Sequence, residues 1–391
     1  MCLKLKSHAK KQIGEGMQAS FQGIRLGGIA ASVGEHRVGI ESELNRLYDG
    51  DEKRLKRAKK SLGLNTRHLV ENGTTALDLC FHAAKNLLTQ MDFDSKNLSA
   101  LIVVTQTPDC MQPGNAYILH SRLGLPSDCL AYDLNAGCSG YVQGLNLAFM
   151  LIKAGLSAVL LCAGDTLSRV INPHDSNMAP LFGDAGSATL VLKDDLAMDS
   201  YFNLKVESQG FHCIMQPNKT ISALCYTTSD SGDRSYFVGS SHYASGIDGK
   251  RSVLADRNAD YLQMDGGEVF NFSLRSGKAS VEEVLALART SLENVDYVFF
   301  HQANAYILSN IARKLGLDLA KAPSHSFSKY GNTSSASIPL AICESLGGLE
   351  AGDRVCVLSG FGVGLSWGAA LLCIDSKCAL SMPDIYHPNA F

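Results

Sequence analysis

Four short stretches of this chain hold residue types that could make and break acyl bonds. The first is DLNAGCSGY, residues 133–141, where an apolar approach (Leu130, Ala131, Tyr132) runs into Asn135, Ala136, Gly137 and Cys138. From Gly140 to Lys153 the residues Val142, Leu145, Leu147, Ala148 and Leu151 keep helical spacing. Cys138 therefore falls on a sharp strand-to-helix turn, at a helix N-terminus. Its small neighbours permit a tight bend and close approach of a substrate. The unpaired N–H groups of a first helical turn, with the positive end of the dipole, favour a thiolate there. A thiolate is the form of cysteine that attacks carbonyls. The opposing reading is a small core hydrophobe, the commoner fate of a cysteine in a chain that has 12.

The second stretch is HQAN, where His301 follows the apolar run VDYVFF. A group at the end of such a strand can be catalytic or can be a satisfied core histidine. The third is YGNTSSASIP, where Asn332 is either a turn or N-cap residue or a hydrogen-bond donor to substrate. The fourth is GFGVGLSWG, residues 360–368, whose backbone N–H groups could face an anion. It lacks the GxGxxG dinucleotide spacing.

The elements that must position these groups follow from periodicity. Continuous apolar runs at 98–105, 158–163, 187–192, 354–359 and 368–374 read as strands buried on both faces. Phe21–Ser32 reads as a first strand, and Glu41–Ser61 as a charged helix ending near Gly63. Helical patterns cover 74–91, 115–123, 268–293, 304–315 and 337–346. The pattern repeats: 101–105 matches 297–300, the turn at Cys138 matches the turn at Ser334, and 158–163 and 187–192 match 355–359 and 368–374. Cys138 to Gly164 and Ser334 to Gly360 both span 26 positions. The chain is thus expected to be α/β, built from two duplicated halves, 21–199 with Cys138 and 200–391, after a polar tail at 1–20. An irregular, Ser/Gly-rich insertion at about 210–262 reads as a cover over a site or as a surface or dimer loop. Sites are expected where strand ends of the two halves meet.

Composition sets bounds. The 391 residues are 46% hydrophobic and 19% charged, which fits a large core. A net charge of −3 gives no case for nucleic acid. The cysteines form no CxxC pair, so zinc ribbons, other metal sites and thioredoxin chemistry are not expected. The basic start (Lys4, Lys6, His8, Lys10, Lys11) leads into no apolar run, so it does not read as a signal peptide, and no run is long enough to span a membrane. Met17 reads as an alternative start. A reducing cytoplasm is the expected location.

Taken together, the four stretches suit carbon–carbon bond formation between thioesters. A cysteine can hold an acyl group, a histidine and an asparagine can donate to a developing enolate, and backbone N–H groups can hold an oxyanion. The ordered set AGCSGY, FGDAGSA (residues 182–188), HQAN, GNTSSASIP and GFGVGLSWG resembles the β-ketoacyl-acyl-carrier-protein synthase III group of the thiolase superfamily, from about residue 21 to 375. The resemblance implies a thiolase-like five-layer αβαβα fold, usually a homodimer. It implies that Cys138 is the acylated nucleophile and that His301 and Asn332 bind a malonyl thioester and promote its decarboxylation. The N–H groups of Cys138 and Val363 would form the oxyanion hole. Arg169, Phe182 and Gly362 would line the substrate. No covalently bound cofactor is implied; coenzyme A or phosphopantetheine thioesters are the substrates and an acyl carrier protein the partner.

Two departures from the family pattern stand out. A family Trp that stacks on coenzyme A is replaced by a basic run (Lys53, Arg54, Lys56, Arg57, Lys59, Lys60), and a carrier-docking Arg after HQAN is Tyr306. They point to a specialised pathway enzyme with a different acyl donor or carrier. The basic run reads either as a solvated helix face or as a docking patch for phosphates or an acidic carrier. Other activities on the same motifs are acyl transfer to oxygen or nitrogen, condensation of a β-ketoacyl acceptor with cyclisation, and service as an inactive partner subunit.

Overall fold

The computed structural model describes residues 16–216 and 261–388; the tail at 1–15 and most of the 210–262 insertion lie outside them. From the N-terminus come β1 (Met17–Phe21), β2 (Ile24–Val33), β3 (His36–Gly39), α1 (Leu44–Tyr48), α2 (Glu52–Leu62), β4 (Thr66–Leu69), α3 (Ala76–Gln90) and β5 (Ala100–Val104). Then follow α4 (Asn115–Arg122), β6 (Leu130–Leu134), α5 (Gly140–Lys153), β7 (Ala158–Thr166), β8 (Asp184–Lys193), β9 (Ser200–Val206) and β10 (Ile214–Met215). After the gap come β11 (Gln263–Met264), α6 (Gly266–Leu287), β12 (Tyr297–Phe300), α7 (Ala305–Leu315), α8 (His325–Tyr330), α9 (Ser337–Leu346), β13 (Arg354–Gly362), β14 (Ser366–Ile374), β15 (Ala379–Leu380) and β16 (Asp384–Ile385).

Two sheets carry the architecture. One runs β15-β2-β8-β7-β5-β6, with β16 also beside β2, and the other runs β1-β9-β14-β13-β12. Their pairings repeat: β5 lies parallel to β7 and β7 antiparallel to β8, as β12 lies parallel to β13 and β13 antiparallel to β14. Alternate residues along each strand face opposite layers, as the pleat requires. On β7, Val159, Leu161 and Ala163 face α5 and α9 between the sheets, while Leu160 and Cys162 face α3 and α4 outside. On the second sheet, Phe299, Leu358 and Leu372 face the same inner layer, and Val298, Val357 and Leu371 face α6 and α7. Helices, sheet, helices, sheet, helices: this is the five-layer αβαβα arrangement of the thiolase fold, as expected.

Several expectations are corrected. Residues 17–20 belong to a strand rather than a tail. The stretch 21–32 is interrupted at Gln22–Gly23, so β1 and β2 join different sheets. The charged stretch 41–61 is also two helices, because Asp49 and Gly50 take left-handed φ values of 53° and 77° and reverse the chain. Asp51 then caps α2 by accepting from the N–H groups of Lys53 and Arg54. The C-terminal arm, β15 and β16, crosses back to lie parallel to β2.

Candidate active site

Cys138 is half-buried two residues before α5, whose Gly140 and Gly144 allow close packing on Val104 and Leu161. The Gly-rich stretch crosses directly over it. A Cβ on Gly362 would stand 2.6 Å from Cys138 Cβ and 2.8 Å from its Sγ, and one on Gly360 2.8 Å from Ser139 Cα. Gly362 also has φ 155°, a conformation open to glycine alone. The two turns are tied by the Ser139 and Ser366 hydroxyls, 2.7 Å apart, and Ser366 Oγ donates to the Val363 carbonyl at 2.7 Å. This fixes Val363 with its N–H directed at Cys138 Sγ.

Burial pushes the Cys138 thiol up to about 11, against the pull of the Val363 N–H and the Ser334 hydroxyl, and the nearby Asp165 adds to the rise. The resting group is thus a thiol, not the thiolate expected from its place at a helix end. Dry surroundings outweigh the dipole of the first turn.

His301 ends β12 and is 2% exposed. Its Nδ1 lies 2.8 Å from Ser337 Oγ, and its ring meets Phe361 edge-on at 5.8 Å. Burial pushes its pKa down to about 3, with the Ser334 carbonyl countering. At neutral pH the ring is uncharged. Asn332 is held by a backbone bridge to the stretch at Phe182: its N–H donates to the Leu181 carbonyl at 2.9 Å, and its carbonyl accepts from Gly183 at 3.0 Å. Its side-chain Oδ1 accepts from Ser334 N–H at 2.9 Å. The turn reading of Asn332 is therefore right for its oxygen, while its NH2 end remains a donor.

Ser334 joins these groups, with its hydroxyl toward Cys138, its N–H on Asn332 and its carbonyl toward His301. Cys138, His301, Asn332, Gly362 and Val363 thus converge. Phe182 packs with Leu167, Ile171, Met178 and Phe327, and acts on the site through its backbone. Arg169 lies apart: its guanidinium donates to the carbonyls of Glu71 and Thr74, the latter at 3.0 Å. Among the described residues, no group of three or more His, Cys, Asp or Glu could hold a metal ion. Sequence reasoning marked Ser334 only as the repeat counterpart of the Cys138 turn, and missed Ser337, a polar residue at a buried helix start, and Asp165, a lone carboxylate that prolongs a buried apolar strand.

Comparison with known proteins places these features among relatives. The family profile described as 3-oxoacyl-[acyl-carrier-protein] synthase III matches residues 132–210, and that of its C-terminal part matches 285–374. A Campylobacter jejuni protein with the provisional name 3-oxoacyl-[acyl-carrier-protein] synthase 3 is 37% identical, covering 95% of this chain and 98% of its own. The beta-ketoacyl-[acyl-carrier-protein] synthase III of Streptococcus suis is 33% identical over 79% of this chain and 87% of its own. The crystal structure of a 3-oxoacyl-(acyl-carrier protein) synthase from Burkholderia xenovorans superposes with a TM-score of 0.83 at 32% identity, covering 95% of this chain and 99% of that one.

Proposed function

This chain belongs to the 3-oxoacyl-[acyl-carrier-protein] synthase III family, and from that premise we propose that Cys138, His301 and Asn332 are the groups that perform its reaction. The reaction is a decarboxylative Claisen condensation of an acyl thioester with a malonyl thioester. The observation that carries the residue assignment is the convergence of these three side chains under the Gly362–Val363 backbone.

In the first half-reaction Cys138 Sγ attacks the acyl carbonyl, and the Cys138 and Val363 N–H groups receive the developing oxyanion. The carrier thiol departs with the cysteine proton, leaving acyl-Cys138. In the second, the malonyl thioester carbonyl sits against His301 and Asn332. With Ser337 Oγ assigned as donor to Nδ1, the neutral ring carries its proton on Nε2 and donates it as a hydrogen bond. The Asn332 NH2 is the other donor. Loss of CO2 gives an enolate held by both; its carbon attacks the acyl group, and the thiolate of Cys138 leaves and takes up a proton. The product is a β-ketoacyl thioester.

The substrates are thioesters of coenzyme A or of carrier-bound phosphopantetheine, and the enzyme works as a cytoplasmic homodimer. No helix of the described residues is long and apolar enough to cross a membrane. Support for the carrier comes from α2. Arg54, Lys56 and Lys59 pair with Asp49, Glu52 and Glu41, whereas Lys53, Arg57 and Lys60 share one exposed face with no ion pair among the described residues. The far end of α2 packs on α7: a Cβ on Gly63 would stand 2.5 Å from Ala305 Cβ, just after HQAN. Support for the dimer comes from β6, an outermost strand with Leu130 and Tyr132 exposed.

Incubation with acyl-coenzyme A is expected to add one acyl mass at Cys138, and none in Cys138→Ala. His301→Ala and Asn332→Ala are expected to acylate yet fail to release CO2 from malonyl thioester. Acylation lost together with decarboxylation would refute the assigned roles.

A further inference from the structure

Asp165 sits at the end of β7 and is fully buried, with no ion pair among the described residues. A lone buried carboxylate is costly unless donors surround it. Here the donors divide by oxygen. Oδ1 accepts from Gln106 N–H at 2.7 Å, Thr105 Oγ1 at 3.2 Å and Thr107 Oγ1 at 3.3 Å, all in the loop that leaves β5. Oδ2 accepts from Ser335 N–H at 3.1 Å and Ser335 Oγ at 2.7 Å, in the turn that leads into α9, and the Ser334 hydroxyl of the same turn also bonds the carboxylate. One oxygen thus holds the first sheet's loop and the other holds the turn from the second half of the chain.

That turn is the one that includes Ser334, a non-glycine residue at φ 50°. A left-handed serine needs its surroundings to hold it. Ser334 is also the residue that faces Cys138, Asn332 and His301 together. We infer that Asp165 is a positioning residue for the condensation step: by clamping Ser335 and bonding the Ser334 hydroxyl it holds Ser334 in place, and with it the spacing of Asn332 from Cys138. Acylation rests on Cys138 and the Val363 N–H, which hang on the Ser139–Ser366 tie instead. The Val363 N–H therefore has a support separate from the Ser334 turn. The inference rests on the reaction described above.

The test uses the full-length enzyme and the variants Asp165→Asn and Ser335→Ala. Each is assayed for acylation of Cys138 by mass, for kcat and KM of condensation with malonyl thioester, and for the pH dependence of Cys138 alkylation by iodoacetamide. The titratable groups beside Cys138 are Asp165 on β7 and the uncharged His301 after β12. Both variants are expected to acylate fully and to lose condensation kcat, ~100-fold for Asp165→Asn if the turn shifts by about an ångström. The alkylation midpoint is expected to fall in Asp165→Asn, because a negative charge that holds the thiol protonated is gone, and to stay in Ser335→Ala, which keeps that charge. A purely structural role would not separate the two midpoints. Condensation kcat within twofold of the parent in both variants, acylation lost in parallel with condensation, or an unmoved midpoint in Asp165→Asn overturns the inference. If Asp165→Asn does not fold, Ser335→Ala alone decides by its kcat. A parent enzyme that acylates yet never releases CO2 from malonyl thioester overturns the reaction assignment, and the midpoint still tests the tie to Asp165.

Discussion

At the scale of the residue, the site works by controlled dryness. His301 is kept uncharged by burial, with a pKa of about 3 in the folded chain against about 6.5 in an unfolded one. Between those values the unfolded chain binds the proton and the folded chain does not, so stability falls as pH falls. His301 contributes a slope of about 1.4 kcal/mol per pH unit below pH 6.5. Urea unfolding at pH 7.5, 6 and 5 is expected to show a gentler decline in His301→Gln than in the parent; equal slopes would refute it. The positions of Cys138 and His301 were legible in the sequence because each follows an apolar run, and that of Asn332 because it sits in a Gly–Asn turn ahead of an apolar helix. Their electrostatics were not. A helix N-terminus advertises a thiolate, but the Gly360–Gly362 backbone that dries the thiol comes from more than 200 residues away.

At the scale of the element, the strands that carry the site were the easiest to read, since β5, β7, β8, β13 and β14 are buried on both faces and each contains an apolar run. What the pattern hid were breaks made by one or two residues, Gln22–Gly23 and Asp49–Gly50, and pieces too short to have a period, such as α8, β15 and β16. The helix α2 gives a prediction of its own. If Lys53, Arg57 and Lys60 meet an acidic carrier, changing all three to Glu is expected to raise KM for carrier-bound malonyl thioester ~10-fold at low salt, with kcat kept. The difference should shrink toward high salt, where exposed charges are screened. A KM equal to the parent's at low salt would assign the stripe to solvent.

At the scale of the whole molecule, the exposed apolar residues of β6 identify an edge that needs a cover. For the homodimer proposed above, Tyr132→Lys is expected to halve the mass found by equilibrium sedimentation, and an unchanged mass would refute β6 as the contact. The opposite margin of that sheet is closed differently. There the arm that carries β15 and β16 runs along β2, its hold strengthened by Tyr386 N–H to the Val33 carbonyl at 3.0 Å and Asn86 Nδ2 to Asp384 at 3.1 Å. At the other end of the chain, β1 crosses to the second sheet and pairs with β9. Each half is therefore completed by a strand from the far end of the polypeptide. During synthesis on the ribosome, β2 emerges early and its outer hydrogen-bonding groups stay unclaimed until about 350 further residues have been made. A chain that reaches only to residue 378 carries every residue of the candidate site and still exposes a bare β2 margin, open to pairing with another strand.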